Sequence, residues 1–375
     1  MTALLLISAI IAGFTLLLCL WNMTLLTAAP TKGEPREEPL VSVCVPARNE
    51  EFNLPVCLDS LLSQTYGNIE ILVYDDESDD ETPNILRRYQ DLDPRVKQVT
   101  TSQLEDGWNG KQFACGQMAQ QAKGAWLLFT DADVRFAPDC VHRTLLFCQQ
   151  RGCDLVSAFP RQITKSIGEI LLVPLIHFLL LSYLPLFVMR RTRTESTAAG
   201  CGQFLCVTRE AYDASDGHRA FPDSMHDGIQ MPKAVRSSGY MTDLVDGTDL
   251  CSCRMYNDLA TSWNGFAKNA YEGLGSVPLL IFITLIHLIA HILPWVMLVV
   301  YLATWQVDQP PFFLAAIAVG CNIVQRTALA WRYRQRPLGI FTHPFGITCM
   351  TFIQWHSYYL RRHGTRQWRG RIHTT

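Results

Sequence analysis

The sequence predicts an α/β protein, a doubly wound sheet preceded by a membrane anchor and followed by further membrane-associated helices. Three observations lead there. Between Leu40 and about Phe159, short apolar runs alternate with amphipathic stretches, the pattern of strands joined by crossover helices. Hydrophobic residues make up 49% of the 375 positions and gather in blocks, several of them long enough to cross a bilayer. The apolar run Leu127–Leu128–Phe129 ends in two aspartates one residue apart, Asp131 and Asp133. They stand at the carboxyl end of a predicted strand, where open α/β sheets bind ligands.

From the N-terminus, Thr2 to Trp21 is almost unbroken apolar sequence. It lacks a basic n-region, and its apolar core is longer than that of a signal peptide, so residues 1–26 are expected to stay as a transmembrane anchor. The alternative is a signal peptide cut at Ala28–Ala29. Residues 27–39, rich in Pro, Glu, Lys and Thr, read as a spacer. The α/β domain is expected over 40–275. Its strands are predicted at Val41–Val45, Ile69–Tyr74, Val96–Val99, Trp126–Thr130 and Leu155–Ala158, and the alternation with helices predicts that they run parallel. Leu54, Leu58, Leu61 and Leu62 share one helical face. Thr82 and Pro83 open the next helix, with proline at the first helical position.

Ile167–Met189 is a second apolar block, broken by Pro174 and Pro185. Residues 276–305 form a strong span. Residues 311–331 form a weaker one, which carries Asn322, Gln325 and Arg326. The connection 306–310 carries only Asp308 and is expected outside. Arg332, Arg334, Arg336 and the basic tail 361–375 are expected inside. Residues 338–360 therefore have basic flanks on both sides and are expected to dip into the membrane or lie on it. His287 and His291 have the four-residue spacing of metal ligands. No third ligand accompanies them in sequence, so a packed or lumen-facing pair is expected. Arg190, Arg191 and Arg193 read equally as a headgroup contact or a solvated turn.

A net charge of −2 gives no field that would favour nucleic acid. The thirteen cysteines contain no C-x-x-C pair and read as reduced, buried residues.

Four clusters carry the chemistry. Pro46-Ala-Arg-Asn-Glu50 follows the first strand. The acid-rich run Asp75-Asp-Glu-Ser-Asp-Asp-Glu-Thr82 follows the second, with Asp75 at the strand end and other acids capping a helix. Gly107-Trp-Asn-Gly-Lys111 offers flexible backbone and a point charge suited to a diphosphate. Asp131 and Asp133 complete the set. All four fall at strand ends or in the loops that follow, and in a doubly wound sheet such points converge on one crevice. The implied ligand has a base or ribose, a diphosphate and a metal. No G-x-G-x-x-G follows a strand, which disfavours a dehydrogenase.

These motifs, in this order and spacing, resemble the family 2 glycosyltransferases over about Val41 to Asn269. The resemblance implies the GT-A fold, a Rossmann-like doubly wound mixed sheet. It implies that Ala47 and Glu50 lie near the uracil of a UDP-sugar and that Asp75 contacts base or ribose. Lys111 would lie beside the nucleotide, Asp131 would touch the ribose, and Asp133 would hold Mg²⁺ or Mn²⁺ on the diphosphate. Gly200-Cys-Gly202-Gln203-Phe204 resembles the family's acceptor-side segment. The family's Glu-Asp before a helix ending in Gly-Tyr appears here as His226-Asp227, running to Gly239-Tyr240, which makes Asp227 the candidate general base. Its alternative role is a helix cap.

The Q-x-x-R-W motif of processive polysaccharide synthases is absent. Arg254, Met255 and Tyr256, then Trp263, Gly265, Phe266, Lys268 and Asn269, with Trp368-Arg369-Gly370-Arg371 in the tail, are similar to the carotenoid-acid and hopanoid-associated glycosyltransferases. The implied reaction is inverting transfer of one sugar from a UDP-hexose to a membrane lipid, with Arg254 and Trp263 on the acceptor side. A processive synthase and a non-catalytic sugar-nucleotide-binding membrane protein are the alternatives. Asp133 and Asp227 must then share one compartment, the cytoplasm. The proline-broken block 167–189 is accordingly expected on the leaflet surface rather than across the membrane.

Overall fold

The computed structural model describes residues 1–368 and 371–373, with side chains through 365. Arg369 and Gly370, and the side chains of Trp368 and Arg371, lie outside what is described. The chain divides into two compact units. One comprises 1–25, 162–186 and 255–366; the other comprises 26–161, 187–254 and 367–375.

The second unit is built on an eight-stranded sheet of order β3-β2-β1-β4-β7-β6-β8-β5. The strands are β1 Val41–Ala47, β2 Ile69–Asp75, β3 Val96–Gln98, β4 Trp126–Phe129, β5 Val134–Phe136, β6 Leu155–Gln162, β7 Leu205–Thr208 and β8 Thr242–Cys253. β1 is buried at every position, as a central strand covered on both faces should be. The helix Leu54–Leu62 buries Leu54, Leu58 and Leu61, each worth about 1.5–3 kcal/mol relative to exposure. Phe113 and Met118 of the helix Gly110–Gln121 pack with Tyr74, Phe129, Val207, Met231 and Val235 in one core.

The expected parallel sheet holds for one half only. β1 pairs in parallel with β2 and β4, and β2 with β3. β4–β7, β6–β7 and β5–β8 are antiparallel. β7 lies between β4 and β6 and runs antiparallel to both, so the predicted strand β6 keeps the direction of β4 without being its neighbour. β5, β7 and β8 were not predicted. β5 has three residues, and β8 is buried almost throughout while carrying Asp243, Asp246 and Thr248, so neither shows a strand period. The thirteen cysteines are all unpaired.

The first unit contains three helices long and apolar enough to cross a membrane: Thr2–Leu25, Val277–Ala303 and Pro310–Arg332. Small residues Ala12, Ala290 and Ala318 meet where these helices touch, as in other membrane bundles. The block after 162 forms short helices, Ile167–Leu172 and Leu175–Tyr183, and a third, Leu186–Arg191, begins just after Pro185.

Two prolines leave carbonyls without a helical partner, and an asparagine answers each. Pro185 cannot donate to Leu181, and Asn22 Nδ2 donates to the Leu181 carbonyl at 2.8 Å and to that of Leu184 at 2.6 Å. Pro294 cannot donate to Ala290, and Asn322 Nδ2 donates there at 3.0 Å. With the amide so oriented, Asn322 Oδ1 accepts from His291 Nδ1 at 2.8 Å. The His287–Ile292 turn is a π-helix. Both of its histidines are buried, and His343 Nε2 lies 3.2 Å from His291 Nδ1. Among the described residues, no three His, Cys, Asp or Glu side chains are arranged to hold a metal.

Candidate active site

The site lies at the carboxyl ends of β1, β2 and β4. Ala47 and Asp75 face each other in register at the ends of β1 and β2. The acid run after β2 is largely occupied with its neighbour. Ser78 Oγ accepts from the Asn49 amide at 2.9 Å, Asp80 Oδ2 from the Glu51 amide at 3.1 Å, and Thr82 Oγ1 from the Glu50 amide at 2.8 Å. These bonds fix the 46–50 loop, including Asn49, whose φ of 54° is left-handed. Glu50 is buried and accepts from Asn53 Nδ2 at 2.8 Å. Asp75 accepts from the Ser78 amide at 3.3 Å, and burial raises its carboxyl above the usual range. A recess lined by Tyr74, Asp75, Asp76, Glu77 and residues 101–104 opens beside it.

Asn109 caps the helix Gly110–Gln121 by accepting from the Lys111 amide at 2.9 Å. That cap sets Lys111 on the first turn, from which its side chain reaches inward. Lys111 Nζ lies 2.6 Å from Asp131 Oδ1, 2.8 Å from Asp227 Oδ2 and 3.5 Å from the Gly202 carbonyl. Burial alone would lower the Lys111 pKa, but the two carboxylates hold it well above the ordinary value. Burial alone would raise that of Asp227, but the Lys111 ammonium holds it below.

Asp227 is buried at the first position of the helix Asp227–Ser237, with His226 as the N-cap residue. Its Oδ1 accepts from the Gly228 amide at 2.9 Å. It therefore has the helix-end position of a cap and, through its other oxygen, an ion pair with Lys111. The Gly200–Phe204 segment runs against it. A methyl group on Gly202 would sit 2.0 Å from Asp227 Oδ1, and one on Gly228 would sit 2.8 Å from the Gly202 amide nitrogen. Thr130 Oγ1 donates to the Gln203 carbonyl at 2.8 Å, tying this segment to the end of β4.

Asp133 immediately precedes β5. Its Oδ1 is sealed from solvent and has no hydrogen-bond partner. Burial, and then the neighbouring Asp131 charge, push its carboxyl up to about 6. A sealed, unpartnered carboxylate oxygen beside a second acid suits a hard divalent cation completed by phosphate oxygens and water. Gln203 is buried, and its Nε2 donates to Cys253 Sγ at 2.9 Å. Arg254 follows directly on β8. Trp263 belongs to the other unit, where its Nε1 donates to His356 Nδ1 at 3.0 Å.

Two residues were missed in the sequence. His218 is wholly buried, its Nδ1 2.8 Å from the Tyr212 hydroxyl, and its Nε2 has no partner. Burial pushes its pKa down to about 3, against the pull of Asp227. Arg236, on the helix that begins with Asp227, donates to the carbonyls of Met189, Thr192 and Thr194. A lone histidine or a mid-helix arginine carries no sequence signal for such contacts.

Residues 42–215 match the family model described as Glycosyl transferase family 2. The chain is 26% identical over 271 residues to a 4,4'-diaponeurosporenoate glycosyltransferase of Staphylococcus haemolyticus, covering 72% of this chain and 70% of that protein. It is 26% identical over 238 residues to the Staphylococcus aureus (strain USA300) protein of the same name, covering 63% of this chain and 62% of that one. Among solved structures, a mannosyltransferase from Pyrobaculum calidifontis in complex with GDP-Man and Mn²⁺ superposes with a TM-score of 0.56 at 19% identity. That match covers 95% of this chain and 99% of the other, a likeness of fold. Over residues 42–215 the chain is similar to the family 2 glycosyltransferases, and it resembles the 4,4'-diaponeurosporenoate glycosyltransferases.

Proposed function

We propose that this protein transfers a single sugar from a nucleotide sugar, a UDP-hexose, to a hydroxyl or carboxyl group of a membrane lipid, with inversion at the anomeric carbon. The observation that carries this reading is the Lys111 ammonium held between Asp131 and Asp227, at 2.6 and 2.8 Å. One cation thus links an acid of the donor-side pair to the candidate base. Ala47, Glu50 and Asp75 frame the nucleoside, and Asp131 faces the ribose. Lys111 supplies positive charge where the departing diphosphate gathers negative charge. Asp227 takes the proton of the acceptor as its oxygen attacks. Gly202 leaves room for that carboxylate, with Gln203, His226 and Arg254 assigned to the acceptor side.

Asp133 would hold Mg²⁺ or Mn²⁺ together with the donor phosphates. When bound, such an ion neutralises charge on the leaving diphosphate.

A lipid acceptor is supported by the three membrane-length helices. It is also supported by the name of the curated relatives, which specifies a carotenoid acid. We place the catalytic domain on the cytoplasmic side of the cell membrane, with 167–189 on the leaflet surface. Cysteines introduced at Ser166 and Thr192 should label from the same side, and labelling from opposite sides would refute that topology. The function itself is tested with purified protein, labelled UDP-sugars and membrane lipids, by identifying the glycolipid in mass spectrometry. Release of UDP that is independent of lipid would contradict it.

A further inference from the structure

We infer that Lys111 is a latch between the base and the donor: it keeps Asp227 ion-paired until a diphosphate takes the ammonium, so that the base is released only once donor is bound. The inference rests on the reading of Asp227 as base and Lys111 as a diphosphate contact, and it adds an order to the reaction.

An ammonium has three N–H donors and no more. The three partners of Lys111 Nζ are Asp131 Oδ1, Asp227 Oδ2 and the Gly202 carbonyl. An incoming phosphate oxygen can therefore be taken only by giving one of them up. Asp131 is about one-third exposed, whereas the Asp227 side chain is 9% exposed. A phosphate reaches the lysine from this exposed Asp131 side, the strand end where the donor is proposed to bind, so an ammonium drawn toward it stays beside Asp131 and moves away from Asp227. Asp227 would keep only the Gly228 amide on its other oxygen.

The pairing has a chemical consequence. A carboxylate held 2.8 Å from an ammonium is a poor base, because its charge is already satisfied. The same carboxylate left buried without that partner is a stronger one, since burial disfavours its charge. Donor binding thus turns Asp227 from a structural counter-ion into a proton acceptor. An acceptor that enters an empty site meets a neutralised acid. No bond is made or broken in this exchange, which moves one side-chain cation between two anions.

The latch makes a prediction about nucleotide affinity alone, without an acceptor. In the wild type, the diphosphate competes with Asp227 for Lys111. Removing that competitor should tighten binding, and only while Lys111 is present. The experiment is calorimetry of the full-length protein with UDP and GDP at fixed salt, on the wild type, Asp227→Asn, Lys111→Gln and the double variant. Lys111→Met serves if Lys111→Gln does not fold. Asp227→Asn is expected to bind the nucleotide about tenfold tighter, a gain of about 1.4 kcal/mol. In the Lys111→Gln background, the same substitution is expected to change affinity less than about twofold.

Unchanged or weaker binding by Asp227→Asn would overturn the latch. So would equal tightening in both backgrounds, which would mean simple charge repulsion. Turnover of Asp227→Asn is read separately, so failure of the base assignment is distinguishable from failure of the latch. Binding of neither nucleotide would remove the donor reading, and the latch with it.

Discussion

Gly202 and Asp227 are fitted to each other so closely that no side chain could stand between them: a methyl group on Gly202 would lie 2.0 Å from Asp227 Oδ1. What would yield is the end of the aspartate side chain rather than backbone. Gly202→Ala should therefore displace the carboxylate and leave the sheet intact. Misplacing a catalytic group by about 1 Å costs on the order of 10²-fold in rate. A fall of that size in kcat is expected, with no loss of UDP affinity and the circular dichroism spectrum unchanged. A variant with wild-type kcat would show that Asp227 need not sit where Gly202 allows it.

The Lys111–Asp227 pair also sets a pH dependence. The pKa of Asp227 is held below the usual carboxylate range by Lys111 against the opposing effect of burial. Its folded pKa is depressed, so the stability it contributes is present above the unfolded value and is lost only as pH falls through the lower folded value. In Lys111→Gln, burial acts unopposed by Lys111, and the acidic limb should move to higher pH. The measurement is kcat/KM for donor against pH, which reports the free enzyme, at saturating divalent metal so that Asp133 stays ionised. An acidic limb at the same pH in both proteins would contradict the ion pair.

Asp133 carries the metal expectation. Its sealed Oδ1 has no protein partner, and its carboxyl is pushed up to about 6 by burial and by Asp131. Chelation should abolish turnover, and Mg²⁺ or Mn²⁺ should restore it. Because protons compete for the same carboxylate, the metal concentration needed should rise as pH falls through about 6. Asp133→Asn should raise that requirement at least about tenfold, in line with the loss of a ligand. Full activity in excess chelator would remove the metal from the account.

In the membrane-type unit, Asn22 donates to the carbonyls of Leu181 and Leu184 beside Pro185. Asn22→Leu would leave the buried Leu181 carbonyl and the half-buried Leu184 carbonyl without that donor. Unpaired buried polar groups cost about 1–3 kcal/mol each, so a clear loss of thermal stability in detergent is expected, with nucleotide affinity unchanged. Equal melting of variant and wild type would mean that these bonds contribute nothing net.

The legible part of the sequence was the part written in local pattern. β1, β2 and β4 are mostly apolar runs with polar or acidic residues at or just after their carboxyl ends, and Gly107, Gly110 and Lys111 follow β3 around the start of a helix. Those features placed the clusters that contain Ala47, Glu50, Asp75, Lys111, Asp131 and Asp133 at strand ends or in the segments after them, and the family resemblance supplied the individual roles. The antiparallel half was hidden because β5 is short and β8 buries acids. The bonds by which Ser78, Asp80 and Thr82 hold the neighbouring loop have no signal in the local pattern. What no pattern could reveal was pairing across distance. Lys111 meets Asp227, Asn22 answers Pro185, Asn322 answers Pro294, and His343 reaches His291. Each depends on how far-apart segments pack, and neither period nor composition records that.

The most direct test of the account is sugar transfer by the purified full-length protein and by Asp227→Asn, supplied with membrane lipid extract and labelled UDP-hexoses. The wild type should form a labelled lipid with the anomeric configuration inverted from the donor. Asp227→Asn should lose at least about 10²-fold in turnover, the ordinary contribution of a general base, while still binding UDP. A labelled lipid formed by Asp227→Asn at the wild-type rate, or a product with retained configuration, would contradict it.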